Sequence, residues 1–399
     1  MYRLTNVAKH YDWGSMTGIP TFLGVEADGR PVAEVWMGAH PDGPSRVRGR
    51  SLRELIDDDP AGMVGPRVSA RFGDRLPYLF KVLAASRPLS LQVHPNAEQA
   101  RDGFAREEAA GVDRHAPERS FHDDQHKPEM LYALTRFEGL SGFRRPQRVI
   151  ELLDGIAGPL AAQIRDTLLA DPTRAGIQRA FELTVCRRGE VTRAEIDETA
   201  RSCEARLEAL EDGGPGARAY GTLVALAHWY PTDPGAIASI MLNRFSLAPG
   251  EAMFVPAGVV HAYLGGLGLE IMASSDNVLR AGITPKHVDV EALLACTVYD
   301  DGAPSRPSVV PGAEGKPATL RAPVDEFALA IFRPTAGARV LYATQDGPRI
   351  VICTAGAVAL RAAAGSEVAL TTGETVFIRH DEGRLEVRGE GELVMAFVP

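Results

Sequence analysis

Residues 250–261 read Gly250-Glu-Ala-Met-Phe-Val-Pro256-Ala-Gly258-Val-Val-His261, which is the pattern G-x5-P-x-G-x2-H. Gly250 permits a tight turn, and the apolar residues after it are typical of a strand. Pro256 and Gly258 then bend the chain, so we expect His261 to point into the interior of a β-structure. An imidazole held in this way is suited to binding a metal ion.

The pattern resembles the second metal motif of the cupin superfamily at every fixed position, which implies a jelly-roll β-barrel. Residues 246–255 (SLAPGEAMFV) are echoed by residues 369–378 (ALTTGETVFI), so two similar β-units are predicted, although a Gly-Glu turn between strands also recurs by chance. In the second copy Arg379, Asp381 and Arg384 occupy the positions of proline, glycine and histidine. The C-terminal unit is therefore predicted to be cupin-like without a metal site.

Changes in pattern along the chain predict a mainly β protein with an α-helical insert. Helical periodicity is confined to the middle of the chain, in residues 147–169, 175–186, 193–211 and 217–229. A Pro- and Gly-rich stretch at 302–317 is typical of a linker. The predicted units are a catalytic cupin domain formed by 1–145 and 241–318, a helical domain at 146–240, and a second, degenerate cupin-like β domain at 319–399.

Further metal ligands are expected from an earlier strand. Residues 89–94 alternate between apolar and polar side chains, which places Ser90, Gln92 and His94 on one face. The usual pattern there is H-x-H, so Gln92 is a departure. The next strand-like segment contains Glu129, which completes a possible set with Gln92, His94 and His261. Two imidazoles, one carboxylate and one amide suit Zn²⁺ best, with Mn²⁺, Co²⁺ or Fe²⁺ as alternatives.

The intervening residues 96–125 are polar and show too little apolar periodicity for a core element, so a long irregular insertion is predicted. This region also offers a rival set of metal ligands without fixed spacing: His115, His122, Asp123, Asp124 and His126.

Five segments resemble signatures of the type I mannose-6-phosphate isomerase family, in the family's order, over roughly the first three quarters of the chain. They are Tyr11-Asp-Trp-Gly14, Ala33-Glu-Val-Trp-Met-Gly-Ala-His-Pro41, Leu91-Gln-Val-His-Pro95, His126-Lys-Pro-Glu129 and the run from Ser274 to Lys286. The resemblance implies that Gln92, His94, Glu129 and His261 hold one zinc ion per chain and that Arg280 is essential to catalysis. It also implies a helical domain and a C-terminal β domain. The run Gly265 to Gly268 departs from the family pattern.

The implied reaction interconverts mannose 6-phosphate and fructose 6-phosphate through an enediol, which requires a base and a group that polarises the carbonyl. Lys127 lies two residues before Glu129 and is expected to donate a hydrogen bond to substrate oxygens, unless it is a surface lysine. Glu270 lies among apolar residues on a predicted strand. Glu270 and Asp276 are both candidate bases, and the sequence does not choose between them.

A chain of net charge −9 needs a local cationic pocket to bind a sugar phosphate. Arg280 and Lys286 are predicted to supply it, with Arg280 in the catalytic role. Ser90 and Tyr263 are candidate hydroxyl contacts to the substrate. Residues 274–286 show neither helical nor strand periodicity, so a loop over the barrel mouth is predicted.

The overall composition limits the partners and the compartment. The charge of −9 and a pI near 5.7 argue against binding nucleic acid or an anionic membrane. Four scattered cysteines in 399 residues, together with an N-terminus that has no signal-peptide core, favour a cytoplasmic protein. No obligatory protein partner is evident.

Two other functions remain open at this stage. One is an Fe²⁺-dependent cupin dioxygenase, which Gln92 and the two predicted cations disfavour. The other is a sugar-binding cupin without catalysis, which the complete ligand set disfavours.

Overall fold

The computed structural model describes residues 1–210, 216–313, 315–337, 340–343 and 345–399. The strands are β1 (Tyr2–Arg3), β2 (Val7–Lys9), β3 (Glu34–Met37), β4 (Arg46–Val47), β5 (Arg50–Ser51), β6 (Tyr78–Ala85), β7 (Leu91–Val93), β8 (Glu129–Ala133), β9 (Phe137–Phe143), β10 (Leu242–Leu247), β11 (Ala252–Val255), β12 (His261–Ala273), β13 (Leu279–Gly282), β14 (Ser308–Val310), β15 (Ala318–Arg321), β16 (Ala328–Phe332), β17 (Leu341–Ala343), β18 (Arg349–Ala362), β19 (Glu367–Thr371), β20 (Thr375–Ile378) and β21 (Leu385–Phe397).

The helices are α1 (Gly18–Leu23), α2 (Leu52–Asp58), α3 (Pro60–Met63), α4 (Pro66–Phe72), α5 (Ala97–Ala109), α6 (Pro146–Leu153), α7 (Pro159–Ala170), α8 (Arg174–Cys186), α9 (Arg193–Glu208), α10 (Ala217–Trp229), α11 (Gly235–Ala238) and α12 (Val290–Cys296). The fold is mixed α/β with extensive antiparallel sheets, which confirms the coarser part of the prediction. Within the described residues, no helix is long and apolar enough to cross a membrane.

The first sheet is organised around the long strand β12. Its first residues pair with β9 and β7, whereas Gly266 to Ala273 pair with β6 and Gly268 to Met272 with β8. The register shifts between Tyr263 and Gly265, so a bulge redirects the strand at this point. The main path through the described strands runs β10-β9-β12-β6-β3-β2 and does not return to its start. The predicted closed barrel is therefore wrong, because the bulged β12 joins two groups of strands whose outer edges stay open.

The second sheet contains the C-terminal strands and recruits two segments from outside residues 319–399. Its main path is β1-β20-β18-β21-β16-β15-β14. The N-terminal β1 pairs with β20, and β14 lies within the stretch predicted to be a linker. That stretch therefore contains a strand, which its proline and glycine content concealed.

The repeated segments form a strand, a turn and a strand in both copies, β10 to β11 and β19 to β20. Gly250 and Gly373 have φ of 89° and 87°, the left-handed region that favours glycine. The glutamate after each glycine accepts a hydrogen bond from the backbone N–H three residues before it, at 2.8 Å for Glu251 and 2.7 Å for Glu374. The repeat thus encodes a common turn whose polar groups are satisfied internally.

Helices α6 to α11 occupy the part of the chain where helical periodicity predicts them. The single helix expected over 147–169 is divided into α6 and α7, and Gly155 has a φ of 71° at the break. Residue 211, at the end of the predicted helix 193–211, lies outside the described residues. Buried leucine, isoleucine and phenylalanine side chains from these helices share one apolar cluster with β7 and β13. The helices are therefore packed directly against the strands that carry the candidate site.

The prediction of an irregular insertion at 96–125 is wrong for its first half. Helix α5 begins there, with Asn96 and Gln99 forming a reciprocal capping box. Its buried positions include Ala100 and Gly103, and a side chain at Gly103 would collide with the ring of Phe121. Small residues on the packed face produce almost no apolar periodicity, which explains the error.

Candidate metal centre and substrate cavity

Three predicted metal ligands converge at the end of β7 and the starts of β8 and β12. His94, Glu129 and His261 are buried, and one potential ligand atom from each lies within 4.8 Å of the other two. Glu129 Oε1 is 3.2 Å from His94 Nε2, and Glu129 Oε2 is 3.5 Å from His261 Nε2. The strands thus bring together side chains that are 167 positions apart in sequence, from residue 94 to residue 261.

The tautomers of both imidazoles are set by backbone carbonyls. His94 Nδ1 lies 2.7 Å from the carbonyl of Asn277, and His261 Nδ1 lies 2.9 Å from that of Val259. Each Nδ1 therefore carries the proton and donates it, so each Nε2 presents a bare lone pair. His94 Nε2, His261 Nε2 and Glu129 Oε2 are buried without a hydrogen-bond partner among the described residues. Three converging acceptors without a donor fit a divalent cation, which satisfies all three at once.

Electrostatics keep these ligands in the protonation states that a cation needs. Burial lowers the pKa of His94 to about 4, against the opposing attraction of Glu129, so the imidazole is neutral near pH 7. Burial alone would raise the pKa of Glu129, but the Lys127 ammonium and the His94 imidazole hold it well below its usual range. The Lys127 Nζ atom is 3.2 Å from Glu129 Oε1.

Gln92 lies on β7, the strand between those of His261 and Arg280. It is paired across the sheet with His261 on one side and with Arg280 on the other, and it lines the adjacent cavity. Residues paired across antiparallel strands share a face of the sheet, so Gln92 lies on the same face as His261, which is where the sequence predicts a fourth ligand.

A cavity of about 1050 Å³ opens beside the three converging groups. Of the predicted catalytic and substrate-binding residues, all seven line it: Ser90, Lys127, Tyr263, Glu270, Asp276, Arg280 and Lys286. The structure thus brings together the side chains that sequence reasoning placed at the site, although their individual contacts differ from expectation.

Glu270 is not an isolated acid among apolar residues. Its Oε2 is 3.0 Å from the Nζ of Lys81, which is also 3.5 Å from Glu34. Burial raises the pKa of Glu270, and the Lys81 ammonium opposes this shift. The attraction of Glu270 and Glu34 in turn overcomes burial and raises the pKa of Lys81. Sequence reasoning missed Lys81, although a lysine in the otherwise apolar strand Tyr78–Ala85 was a usable signal.

Asp276 presents a carboxylate to the cavity with its side chain 42% exposed. Its Oδ2 is 3.3 Å from Nε2 of the buried His40, and its backbone N–H donates to Asp123 at 2.7 Å. Burial would raise the pKa of Asp276, but His40 and then Lys127 lower it below its usual value. Asp276 is therefore ionised at neutral pH and held from two sides.

The segment 274–286, predicted to be a loop, contains the short strand β13. Arg280 lies on β13, which pairs with β7, so this cation is attached to the same ladder as the metal ligands. Among the described residues Arg280 forms no ion pair, and burial lowers its pKa. Burial and then repulsion by Arg280 lower the pKa of Lys286. Two neighbouring cations that repel each other in a cavity favour an anionic ligand.

The two predicted hydroxyl contacts differ in their surroundings. Ser90 is partly buried at the cavity wall. Tyr263 is buried against Phe137 in an edge-to-face contact with ring centroids 5.3 Å apart. Its hydroxyl has no hydrogen-bond partner among the described residues, and burial raises its pKa well above the usual value. The Tyr263 hydroxyl is therefore neutral and able to donate a hydrogen bond into the cavity.

The rival metal ligands between His115 and His126 do not form a cluster among the described residues. Asp123 instead accepts hydrogen bonds from Ser275 and Asp276, and His126 pairs with Glu326 at 2.8 Å. A second set of possible ligand atoms, from His40, Asp42 and Asp276, lies close enough together to hold a metal ion. The N–H of Asp42 lies 3.3 Å from His40 Nδ1, which leaves His40 Nε2 to donate to Asp276.

The degenerate motif of the C-terminal unit has structural contacts. Arg379 pairs with Asp59 at 2.6 Å and with Asp381 at 2.5 Å. The Arg384 guanidinium lies 4.7 Å from the centroid of the Tyr342 ring. Among the described residues this region contains no group of metal-ligating side chains.

A buried three-ligand cation site beside a cavity with two repelling cationic side chains defines a metalloprotein that takes an anionic small molecule. A family model described as phosphomannose isomerase type I, catalytic domain, matches residues 1–146. The mannose-6-phosphate isomerase of Escherichia coli (strain K12) is 36% identical over 405 residues, covering 100% of this chain and 99% of the relative. That of Schizosaccharomyces pombe is 33% identical, covering 95% and 94%. The chain therefore belongs to the type I mannose-6-phosphate isomerase family.

Solved structures agree with this assignment over the full length. A crystal structure of mannose 6-phosphate isomerase bound with zinc and yttrium has a TM-score of 0.88 at 35% identity, covering 100% of this chain and 99% of that one. A zinc-bound holo structure of mannose 6-phosphate isomerase has a TM-score of 0.89 at 34% identity, with the same coverage.

Proposed function

We propose that this chain is a zinc-dependent aldose-ketose isomerase that interconverts mannose 6-phosphate and fructose 6-phosphate through an enediol. The observation that carries the proposal is the convergence of three unpartnered metal-ligand atoms, of His94, Glu129 and His261, at a cavity lined by Glu129 together with Arg280 and Lys286. The full-length similarity to mannose-6-phosphate isomerases and the zinc in related structures support it.

One zinc ion per chain would be held by His94, Glu129 and His261, with Gln92 as the fourth protein ligand. When bound, the ion supplies a Lewis acid that polarises the substrate carbonyl and orients the oxygens on C1 and C2. The neutral imidazoles and the ionised carboxylate suit zinc, which binds nitrogen and oxygen ligands and in catalytic sites keeps a position open for the substrate.

We assign the base to Asp276 in preference to Glu270. Asp276 is ionised, half-exposed to the cavity and oriented by His40, whereas Glu270 is engaged by Lys81 at 3.0 Å. In the forward direction Asp276 takes the proton from C2 of mannose 6-phosphate, and the hydroxyl proton on O2 passes to O1. Asp276 then delivers its proton to C1 as the carbonyl forms at C2, which yields the ketose.

The remaining residues stabilise charge and orient the sugar. Lys127 donates a hydrogen bond to the oxygen that gains charge as the enediol forms, and the planar guanidinium of Arg280 stabilises the same charge through paired donors. Lys286 holds the phosphate. Ser90 and Tyr263 donate to sugar oxygens.

A direct assay tests the activity. Turnover of mannose 6-phosphate, coupled to the consumption of fructose 6-phosphate, should disappear after chelation and return when Zn²⁺ is added. The iron dioxygenase alternative predicts oxygen uptake with recovery by Fe²⁺, and a non-catalytic sugar-binding protein predicts no turnover at all. Either result would contradict the proposal.

The assignment of the base has its own test. Asp276→Asn should lower kcat by about 10²- to 10⁴-fold with normal zinc content. Asp42→Asn is the matched control, because Asp42 belongs to the same group of titratable side chains but is exposed and does not line the cavity. Glu270→Gln should retain more activity than Asp276→Asn, and the opposite order would move the base to Glu270.

We infer a cupin-type jelly-roll formed by 1–145 and 241–318, a helical domain at 146–240 and a cupin-like C-terminal domain at 319–399. Limited proteolysis between these units tests the boundaries. The cytoplasmic location, and the absence of nucleic-acid, membrane and obligatory protein partners, stay predictions of the sequence.

A further inference from the structure

The loop at 282–286 carries Lys286 into the cavity in a strained conformation. Ile283, which follows β13 directly, has a φ of 47°. A β-branched residue rarely adopts this left-handed conformation, and such residues persist only when their surroundings hold them. Ile283 is buried and Thr284 lines the cavity with Lys286, so the surroundings of Ile283 determine where the cation is placed.

The groups that hold this loop come from the helical part of the chain. Asp233, which is buried just before α11, accepts hydrogen bonds from the backbone N–H of Thr284 at 3.2 Å and from Arg188 at 2.6 Å. Its other oxygen accepts from the N–H of Gly235 at 2.8 Å. Arg188 also donates to the carbonyls of Thr284 and Lys286. One carboxylate and one guanidinium therefore satisfy the backbone of the loop on both sides.

The backbone at the start of α11 approaches the backbone at the end of β13 so closely that only glycine fits at position 235. A Cβ added to Gly235 would lie 2.9 Å from the nitrogen of Ile283 and 3.1 Å from the Cα of Gly282. The start of α11 is thus packed directly on the end of β13, so a displacement of the helix would be transmitted to the loop.

We propose that Asp233, together with Arg188, is a positioning residue that holds the strained loop and thereby keeps Lys286 beside Arg280 at an anion subsite. This inference rests on the proposed function, because it takes the phosphate of the substrate as the anion. Arg280 and Lys286 repel each other, so the loop needs an external restraint to keep both cations in one cavity. The helical part of the chain is then a component of the binding site.

The first test is Asp233→Asn, which keeps the shape of the side chain. If the amide oxygen continues to accept from Gly235, the NH2 group faces the Arg188 guanidinium and the Thr284 N–H, and donors oppose donors. We expect KM for mannose 6-phosphate to rise on the order of tenfold or more, with kcat within about twofold and zinc content unchanged. Asp171→Asn is the matched control, since Asp171 pairs with Arg179 at 2.5 Å in the same helical region and does not line the cavity.

Binding of inorganic phosphate to the zinc-loaded protein separates this inference from the proposed activity. Calorimetry should show a phosphate Kd that rises with KM in Asp233→Asn and stays at the wild-type value in Asp171→Asn. Gly235→Ala, which changes no charge, should also weaken phosphate binding because it displaces the loop.

Each outcome is decisive. An unchanged phosphate Kd in Asp233→Asn and Gly235→Ala overturns the inference. A wild-type protein that binds no phosphate also overturns it. If Asp233→Asn and Gly235→Ala lose both bound zinc and phosphate binding, the inference is also contradicted, since Asp233 would then stabilise the whole fold rather than the loop. If the wild type binds phosphate, Asp233→Asn weakens it and no isomerase turnover is found, the positioning role stands and the proposed function fails.

Discussion

Replacement of Arg280 by alanine is the most informative change to the site. Arg280 on β13 pairs with Gln92 on β7, and Gln92 pairs with His261 on β12. Arg280 and the metal ligand His261 therefore lie on the two strands that flank β7. Because we assign the phosphate to Lys286, we expect a guanidinium next to the metal-ligand ladder to act on the charge that develops on the substrate oxygens during the reaction. The expected effect is therefore on kcat, by about a hundredfold or more, which corresponds to about 2.7 kcal/mol of transition-state stabilisation.

The stability of the folded chain should respond differently. Arg280 forms no ion pair among the described residues and repels Lys286, so its removal breaks no favourable contact of this kind. We expect the urea midpoint of Arg280→Ala to be unchanged or slightly higher, with one zinc per chain. Loss of activity without loss of stability would show that the arginine acts on the substrate.

Steady-state kinetics on mannose 6-phosphate, with zinc content measured on the same samples, provide the assay. Arg280→Lys should remain poor because an ammonium lacks the planar pair of donors. Arg244→Ala is the control. Arg244 is a partly buried arginine on a strand, its guanidinium is 3.0 Å from the Glu138 carboxylate, and it does not line the cavity. An unchanged kcat with a raised KM in Arg280→Ala would refute the catalytic role and leave a binding residue.

Three further predictions follow from buried charge and from the degenerate motif. Lys81→Met leaves Glu270 buried without its cation, so the free energy of unfolding measured in urea should fall by about 3–5 kcal/mol. An unaltered urea midpoint would contradict the stabilising ion pair. In the folded chain the pKa of His94 is about 4, below its ordinary value of 6.5. As pH falls, the unfolded state therefore binds a proton before the folded state does, and the metal-free chain should lose stability between about pH 6.5 and about pH 4. A His94→Gln variant should show a shallower dependence, and equal slopes would exclude His94 as the cause. Arg384→Ala should keep one zinc per chain and near-normal turnover, whereas a halved metal content would show that the C-terminal motif binds metal.

Local sequence patterns were sufficient to predict a metal ligand wherever the physical signal lies within a few residues. The G-x5-P-x-G-x2-H pattern led to His261, and strict alternation led to His94, because a strand displays alternate side chains on one face. Capping and small-residue packing are weaker signals, so α5 was missed even though Asn96 and Gln99 form a capping box.

Charged partners across the sheets were the features that sequence reasoning could not assign. Lys81 and Glu270 are neighbours only because β6 pairs with β12 in one register, and a shift of one residue would place them on opposite faces. The roles of Glu270 and Asp276 were therefore undecided until their partners, Lys81 and His40, were known.

The sequence by itself determined the family, the ligand types, the helices α6 to α10 and the strands that carry the metal ligands, because these depend on side-chain chemistry and short-range periodicity. Tertiary structure alone decided that the strand path around β12 does not close, that Arg280 lies on a strand, and that Asp233 contacts the loop of Lys286. The physical reason is that hydrogen-bond register and burial join residues far apart in the chain. The pKa, the partner and hence the role of each charged side chain depend on those distant neighbours.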